Sequence, residues 1–191
     1  MVYKTIISVD DLKNNLNNDD FLIFDSRCDI KDSGYGIDSY TEGHIPNSIF
    51  VDVDTDLASE KRPGTGRHPL PDPNTFSEKL SHWGMSNNKQ VVVYDDAGGA
   101  FAGRLWWMLK WLGHEAVAVL DGGLNSWVKG GNKLVTTPTV FEKAHFEPRV
   151  QENMIATVED VEEAQFKMNT ILLDARSKAV SYTHLRAHET S

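Results

Sequence analysis

A run of β-branched residues leads directly into a glycine-rich loop in residues 91–104, Val91-Val92-Val93-Tyr94-Asp95-Asp96-Ala97-Gly98-Gly99-Ala100-Phe101-Ala102-Gly103-Arg104. A short strand that is apolar at every position is typical of a parallel sheet with both faces covered. In such sheets, ligands bind beyond the carboxyl ends of the strands. We therefore expect the loop that begins at Asp95 to lie at the functional edge of the fold.

The rest of the chain repeats this alternation of apolar runs and amphipathic segments, which predicts an α/β fold with a mostly parallel sheet and helices on both faces. Strands are predicted at residues 21–24, 49–51, 91–94 and 116–120. Helices are predicted at residues 9–16 after a Ser8 cap, 75–83 after Asn74, 104–112 and 124–129. Three strands end at an acidic residue, so Asp25, Asp95 and Asp121 are candidates for one shared rim.

Composition and charge exclude several classes of function. The chain has 191 residues and a net charge of -9, which argues against non-specific binding to nucleic acid and requires a local positive site for any small anionic substrate. It shows neither a membrane-spanning segment nor a secretory signal, so a cytoplasmic location is predicted. Its one cysteine, Cys28, excludes an intrachain disulfide and a cysteine-rich metal cluster. We predict no metal and no cofactor.

Two segments of the chain resemble each other in a single register. Residues 7–12 align with residues 156–161, and residues 21–27 align with residues 170–176, both with an offset of 149. Two aligned blocks without a gap between them predict that a second copy of the domain begins near Ile155. We expect this copy to be incomplete within the 191 residues.

These boundaries give four predicted regions. Residues 1–135 form the first domain, 136–154 a polar linker, 155–180 the truncated start of the second copy, and 181–191 a non-native tail. The tail contains His184 and His188 at helical metal-pair spacing, but it lacks the glutamate of a zinc protease motif. We interpret the pair as having no function.

Six sequence motifs occur in order along the chain. They are Asp25-Ser26-Arg27, Tyr40-Thr41-Glu42-Gly43-His44-Ile45-Pro46, Arg67-His68-Pro69-Leu70-Pro71, the loop from Tyr94-Asp95 to Arg104-Leu105-Trp106-Trp107-Met108, Leu120-Asp121-Gly122-Gly123, and Trp127. Together they resemble the tandem-domain rhodanese family of thiosulfate and 3-mercaptopyruvate sulfurtransferases, and the likeness covers residues 1 to about 180. One departure is Asn47-Ser48, where the family usually has Gly-Ala.

The resemblance implies that the first domain is non-catalytic. In tandem rhodaneses a cysteine of the second domain carries the sulfane sulfur as a persulfide, and the first domain typically has an aspartate at that position, here Asp95. An aspartate cannot form a persulfide. Asp96, Gly98, Gly99 and Arg104 then belong to a vestigial loop, which at eight residues between Asp95 and Arg104 is longer than the active kind. The first domain would close a cleft with a partner domain.

The offset places the expected cysteine near position 244, and the family's substrate-gripping arginine would fall on Val180. The resemblance thus implies a parent sulfurtransferase that takes a small anionic sulfur donor, with this chain an inactive fragment lacking its catalytic partner domain. The alternative is a stand-alone, non-catalytic module that binds a protein partner or an anion. Thiosulfate and 3-mercaptopyruvate are not distinguished.

Other candidate residues have simpler interpretations. Cys28 is predicted to be a plain loop thiol, His44 a hydrogen-bonded structural residue, and the tryptophans of residues 105–112 part of the core. In mercaptopyruvate-type members a histidine in the context of His68 lies near the cleft, so His68 is the candidate substrate contact. Arg104 opposes the dipole of its helix, which a positional role or a surface salt bridge would explain.

Overall fold

The computed structural model describes residues 2–174, and the chain divides into two compact units between Gln151 and Glu152. The first unit contains a five-stranded sheet in which all neighbouring strands are parallel. The strands are β1 (Ile6–Ile7), β2 (Phe21–Asp25), β3 (Ser48–Phe50), β4 (Gln90–Tyr94) and β5 (Val117–Leu120), in the spatial order β1-β5-β4-β2-β3. The predicted α/β class is confirmed.

Five helices connect or follow these strands: α1 (Val9–Asn14), α2 (Tyr35–Glu42), α3 (Pro73–His82), α4 (Ala102–Trp111) and α5 (Gly123–Lys129). Every residue of β4 is buried, so both faces of the central strand are covered. The core beneath the sheet includes Ile23, Val92, Ala118 and Trp127. Because all strands run in the same direction, their carboxyl ends meet at one edge.

Sequence patterns missed two elements. The strand β1 has only two residues, too short for a periodic pattern. Helix α2 contains Gly36, a poor helix former, but packing requires this glycine: a Cβ there would lie 2.4 Å from the carbonyl oxygen of Arg27. Tyr40 then fixes α2 by donating its hydroxyl to the carbonyl of Ser48 at 2.8 Å.

Two helices start two residues before their predicted positions. Helix α3 begins at Pro73, and its N-cap is Asp72, not Asn74 as predicted. The Asp72 carboxylate accepts from the backbone N–H groups of Asn74 and Thr75. Proline suits the first helical position, where no N–H is needed. Helix α4 begins two residues before Arg104, at Ala102.

Most of the predicted linker has no helix or strand, yet its backbone is bonded within the first unit. Ala144 donates to the carbonyl of Ser81 at 2.9 Å, Arg149 to that of Leu112 at 2.8 Å and Gln151 to that of Trp111 at 2.8 Å. The side chain of Phe146 is buried. Segment 144–151 is therefore packed as part of the first unit.

The second unit contains a short 3-10 helix (Glu152–Met154) and helix α6 (Val158–Ala164). Thr157 caps α6 in a reciprocal arrangement with Asp160. Ile171, Leu172 and Leu173 belong to no strand and are exposed. The predicted tail at 181–191, together with Arg176 and Val180, lies outside the described residues.

Candidate functional site

The carboxyl edge of the sheet brings together the ends of β2, β4 and β5, as the acidic residues after these strands predict. Asp25 is paired in register with Tyr94, and Asp95 follows Tyr94 directly. Asp25 and Asp95 are both buried, whereas Asp121 is exposed. The buried pair of carboxylates therefore forms the interior of the rim, and each has its own set of hydrogen-bond donors.

Asp25 is bound in a closed polar cluster. The guanidinium of Arg27 donates to it, with Nη2 2.7 Å from Oδ2, and the same nitrogen donates to the carbonyl of Gly43 at 2.8 Å. The hydroxyl of Tyr94 also donates to Oδ2 of Asp25 at 2.7 Å. Burial, and then the charge of Asp25, hold the pKa of Tyr94 well above its ordinary value. This cluster fixes the chain between β2 and α2, and the Asp25 carboxylate is bonded to both Arg27 and Tyr94.

The pKa of Arg27 is raised in spite of its burial. Burial alone would lower the pKa, but the hydrogen bonds and charge of Asp25 outweigh it and favour the guanidinium form. Because the ion pair is buried, removing either partner would leave an uncompensated polar group in the interior. The Asp25-Ser26-Arg27 motif thus has a structural role in this unit.

Asp95 fills a ring of backbone N–H groups with its own carboxylate. Oδ1 accepts from Ala97 at 3.0 Å and Gly99 at 2.8 Å, and Oδ2 accepts from Phe101 and Ala102 at 2.9 Å each. Helix α4 has no side-chain cap at Phe101, so Asp95 supplies acceptors for its free N–H groups. The ring has the geometry of an anion site, and its anion is Asp95 itself.

Backbone conformation explains the glycines around this ring. Gly98 and Gly99 have φ values of 71° and 89°, in the left-handed region that a side chain rarely adopts. These conformations turn the N–H groups inwards toward Asp95. A Cβ at Gly123 would lie 2.2 Å from the carbonyl oxygen of Asp95, so the start of α5 approaches the loop too closely for any other residue.

Asp96 faces a different neighbour. Its carboxylate accepts a short hydrogen bond from the hydroxyl of Tyr35 at the start of α2, and its carbonyl accepts from Asn125 at 3.1 Å. The bond to Asp96, and then burial, raise the pKa of Tyr35. The loop is thereby tied to both α2 and α5.

The guanidinium of Arg104 donates to backbone carbonyl oxygens. Its Nε and Nη2 donate to the carbonyl of Leu57 at 3.1 and 2.6 Å, and Nη2 donates to the carbonyl of His68 at 3.0 Å. Burial lowers the pKa of Arg104. Within residues 2–174 Arg104 forms no salt bridge, and a positional role for it stays a prediction.

His68 lies in the loop that Arg104 contacts. Its Nε2 is 2.6 Å from Oδ1 of Asp54, and the side chain is partly exposed. The ring is thus oriented by a carboxylate while keeping access to solvent. No sequence signal pointed to Asp54, because the two residues are 14 positions apart in an irregular segment.

His44 and Cys28 fit their structural interpretations. Both ring nitrogens of His44 face carbonyl oxygens, of Tyr40 at 2.7 Å and Thr137 at 3.1 Å, and the ring is fully buried. Burial, and then the charges of Asp54, Asp52 and Asp29, raise the pKa of the Cys28 thiol. A raised pKa leaves little thiolate at neutral pH, so Cys28 is a poor nucleophile.

Within residues 2–174 no group of three or more His, Cys, Asp or Glu is arranged to hold a metal ion, and no helix is long and apolar enough to cross a membrane. His184 and His188 lie outside this range. Of the three tryptophans of α4, Trp111 is buried as predicted, whereas Trp106 and Trp107 are half-buried; the rings of Trp107 and Trp111 stack at 6.1 Å between centroids.

Comparison with known proteins gives consistent matches. The sequence profile of the rhodanese-like domain matches residues 8–130. A probable 3-mercaptopyruvate sulfurtransferase of Pseudomonas aeruginosa is 37% identical over 175 residues, 91% of this chain and 62% of the relative. The thiosulfate sulfurtransferase of Rattus norvegicus is 34% identical over 143 residues, 73% of this chain and 46% of the relative.

Among solved structures, the crystal structure of the 3-mercaptopyruvate sulfotransferase SseA from Escherichia coli superposes with a TM-score of 0.81 at 28% identity, covering 94% of this chain and 68% of that one. The chain thus spans less than two thirds of the length of the two curated relatives named above.

Proposed function

Because the chain belongs to the rhodanese-like family, we propose that it is the non-catalytic first domain, with the start of the second, of a tandem sulfurtransferase. The complete enzyme would move sulfane sulfur from thiosulfate or 3-mercaptopyruvate, through a cysteine persulfide, to a thiophilic acceptor. The named relatives are sulfurtransferases of these two kinds, which supports the reaction class without separating the donors. A cytoplasmic location stays a prediction.

The observation that carries the proposal is the Asp95 carboxylate in the ring of four N–H groups. A thiolate in such a ring would be stabilised and nucleophilic, whereas a carboxylate there neutralises the same donors and cannot accept a sulfane sulfur. The loop is therefore assigned a structural role. Catalysis would need a cysteine from a partner domain.

The internal repeat supports the proposed partner. Ser8 caps α1 by accepting from Asp11, and Thr157 caps α6 by accepting from Asp160, so both caps and both donors are 149 residues apart. Shared local structure in one register is what a second rhodanese-like copy would produce. We propose that this second copy supplies the catalytic cysteine and that a small anionic donor binds between the copies.

A sulfur-transfer assay tests the proposal directly. The 191-residue chain, given thiosulfate or 3-mercaptopyruvate with cyanide, should form no thiocyanate, because its one cysteine has a raised pKa. Turnover that disappears in Cys28→Ser would overturn the assignment of the site.

A second variant tests the position of Asp95. In a Cys28→Ser background, Asp95→Cys should give a thiol with a pKa below about 8.5, the ordinary value, because four N–H groups face it. The pH dependence of alkylation by iodoacetamide measures this pKa. An ordinary or raised value would show that the ring does not stabilise a thiolate, and Asp95 would then not occupy a nucleophile position.

A further inference from the structure

The guanidinium of Arg104 joins two segments that are distant in sequence. Its Nη2 reaches the carbonyl oxygens of both Leu57 and His68, at 2.6 and 3.0 Å. Leu57 is fully buried and ends a turn in which Asp56 and Leu57 both donate to the carbonyl of Asp52. Asp54 lies within this turn. One side chain therefore connects the segment that carries Asp54 to the segment that carries His68.

Residues 58–67 leave the fold at Leu57 and return at His68, so Arg104 holds both ends of this loop. One further tie is the hydrogen bond from the N–H of Ser59 to the carbonyl of Pro69 at 3.0 Å. The interior of the loop is exposed, and Thr65 bonds only to Arg62 within it. An exposed loop of this length is mobile unless its ends are fixed.

The placement of Arg104 is costly for the helix that carries it. A positive charge in the first turn of α4 opposes the helix dipole, and partial burial disfavours the charge further. Two carbonyl oxygens offset part of this cost, since a planar guanidinium can donate to both at once. Lysine, with a single nitrogen, lacks that fork.

We infer that Arg104 is a positioning residue that holds His68 against Asp54 by fixing the carbonyls at both ends of residues 58–67. The guanidinium sets the backbone of His68, and the 2.6 Å contact between Nε2 and Asp54 then sets its ring. The inference rests on the proposed function only for the claim that His68 meets substrate. Its structural claim concerns this chain alone.

Two signals in the 191-residue chain test the inference. The Ser59 amide should exchange with solvent at least about tenfold faster in Arg104→Ala, the factor that corresponds to a loss of about 1.4 kcal/mol. In Arg104→Ala, the ring nitrogen resonances of His68 should shift toward the positions that they have in the Asp54→Asn variant. That second variant lacks the carboxylate that His68 contacts. The amides of β4 should stay protected in both variants.

Matched variants separate positioning from general destabilisation. Arg67→Ala removes a cation from the same exposed loop and should leave both signals unchanged. Arg104→Lys should give intermediate Ser59 exchange, and it carries the test if Arg104→Ala does not fold. In a folded Arg104 variant, an unchanged His68 spectrum would overturn the inference, and so would unchanged Ser59 exchange.

These outcomes are independent of sulfur transfer. If the assay above contradicts the proposed function while Arg104 still controls Ser59 and His68, the positioning role stands without a substrate role for His68. If the His68 spectrum is the same with and without the Arg104 side chain, the positioning role is wrong, whatever the sulfur-transfer assay gives.

Discussion

Residues 8–25 and 157–174 begin in the same way, because Ser8 and Thr157 each cap a short helix through the N–H three residues further on. Beyond the caps, the two segments differ. Leu12 on α1 is fully buried, whereas its counterpart Val161 on α6 is exposed. Strand β2 is paired on both sides, while Ile171, Leu172 and Leu173 are in no strand and exposed.

The comparison separates what a sequence encodes locally from what it encodes only through partners. A cap needs four consecutive residues, and these are present in both segments. A buried central strand needs neighbours on both edges and a layer over each face, which β3, β4 and the helices give to β2. Residues 171–173 have the apolar character of a buried strand without those neighbours in the described chain.

Hydrogen exchange should show the largest difference. Amides of β2 should exchange only when the first unit unfolds, with protection of at least about a thousandfold for a domain of ordinary stability. Amides of residues 171–173 should exchange within about tenfold of an unstructured peptide. Comparable protection, or comparable resistance to protease, would mean that the second segment is covered.

Matched truncations of one apolar residue should differ by several kcal/mol. Leu22→Ala in β2 should lower the free energy of unfolding by about 2–5 kcal/mol, because it leaves a cavity in the core. Ile171→Ala should change it by no more than about 0.5 kcal/mol, because the side chain is 82% exposed. Urea unfolding followed by tryptophan fluorescence reports on the first unit, which holds all five tryptophans. Equal effects would contradict the observed burial.

Removing the caps Ser8 and Thr157 should give a smaller difference in the stability of the first unit. Ser8→Ala should destabilise the first unit by about 1 kcal/mol, because the N–H of Asp11 loses its acceptor. Thr157→Ala should reduce the helix content of α6 in circular dichroism and leave the urea midpoint of the first unit unchanged. A shift of that midpoint by Thr157→Ala would show coupling between the two segments.

Acid should weaken the two segments in different pH ranges. Burial lowers the pKa of His114 in the first unit, so the unfolded chain takes up the proton first, and stability falls as the pH drops below about 6.5. The cap bonds from Thr157 lower the pKa of Asp160, so its support of α6 is present above about 3.9 and is lost as the pH falls through the lowered pKa.

His114→Phe should flatten the first of these pH profiles in urea titrations at pH 5 to 7. The helix signal of α6 should be unaffected in that range. Loss of α6 together with the first unit near pH 6 would contradict the assignment of the two titrations.

Prediction from sequence succeeded where the information is local. The apolar run ending at Tyr94 predicted a strand with both faces covered, and the loop from Asp95 was expected beyond its carboxyl end, where the structure has it. The shared rim followed from parallel strands alone. Helix α2 was missed because its stability comes from packing of Gly36 and Tyr40.

Contacts between distant segments could not be predicted. Tyr35 meets Asp96 across 61 positions, and Arg104 meets Leu57 and His68 across 47 and 36. Nothing in a single sequence marks a carbonyl oxygen as the partner of an arginine. The same limit applies to Asp54, whose contact with His68 depends on the path of an irregular loop.

The sequence by itself determined the parallel α/β class, the family resemblance and the two similar segments at an offset of 149 residues, because each depends on the order of neighbouring residues. Only the tertiary structure decided that Asp95 accepts from the N–H groups of its own loop, that Arg104 donates to two backbone carbonyls, and that β2 is buried while residues 171–173 are exposed. These depend on which groups meet in space, and a buried polar group selects whichever partner the packing brings within reach.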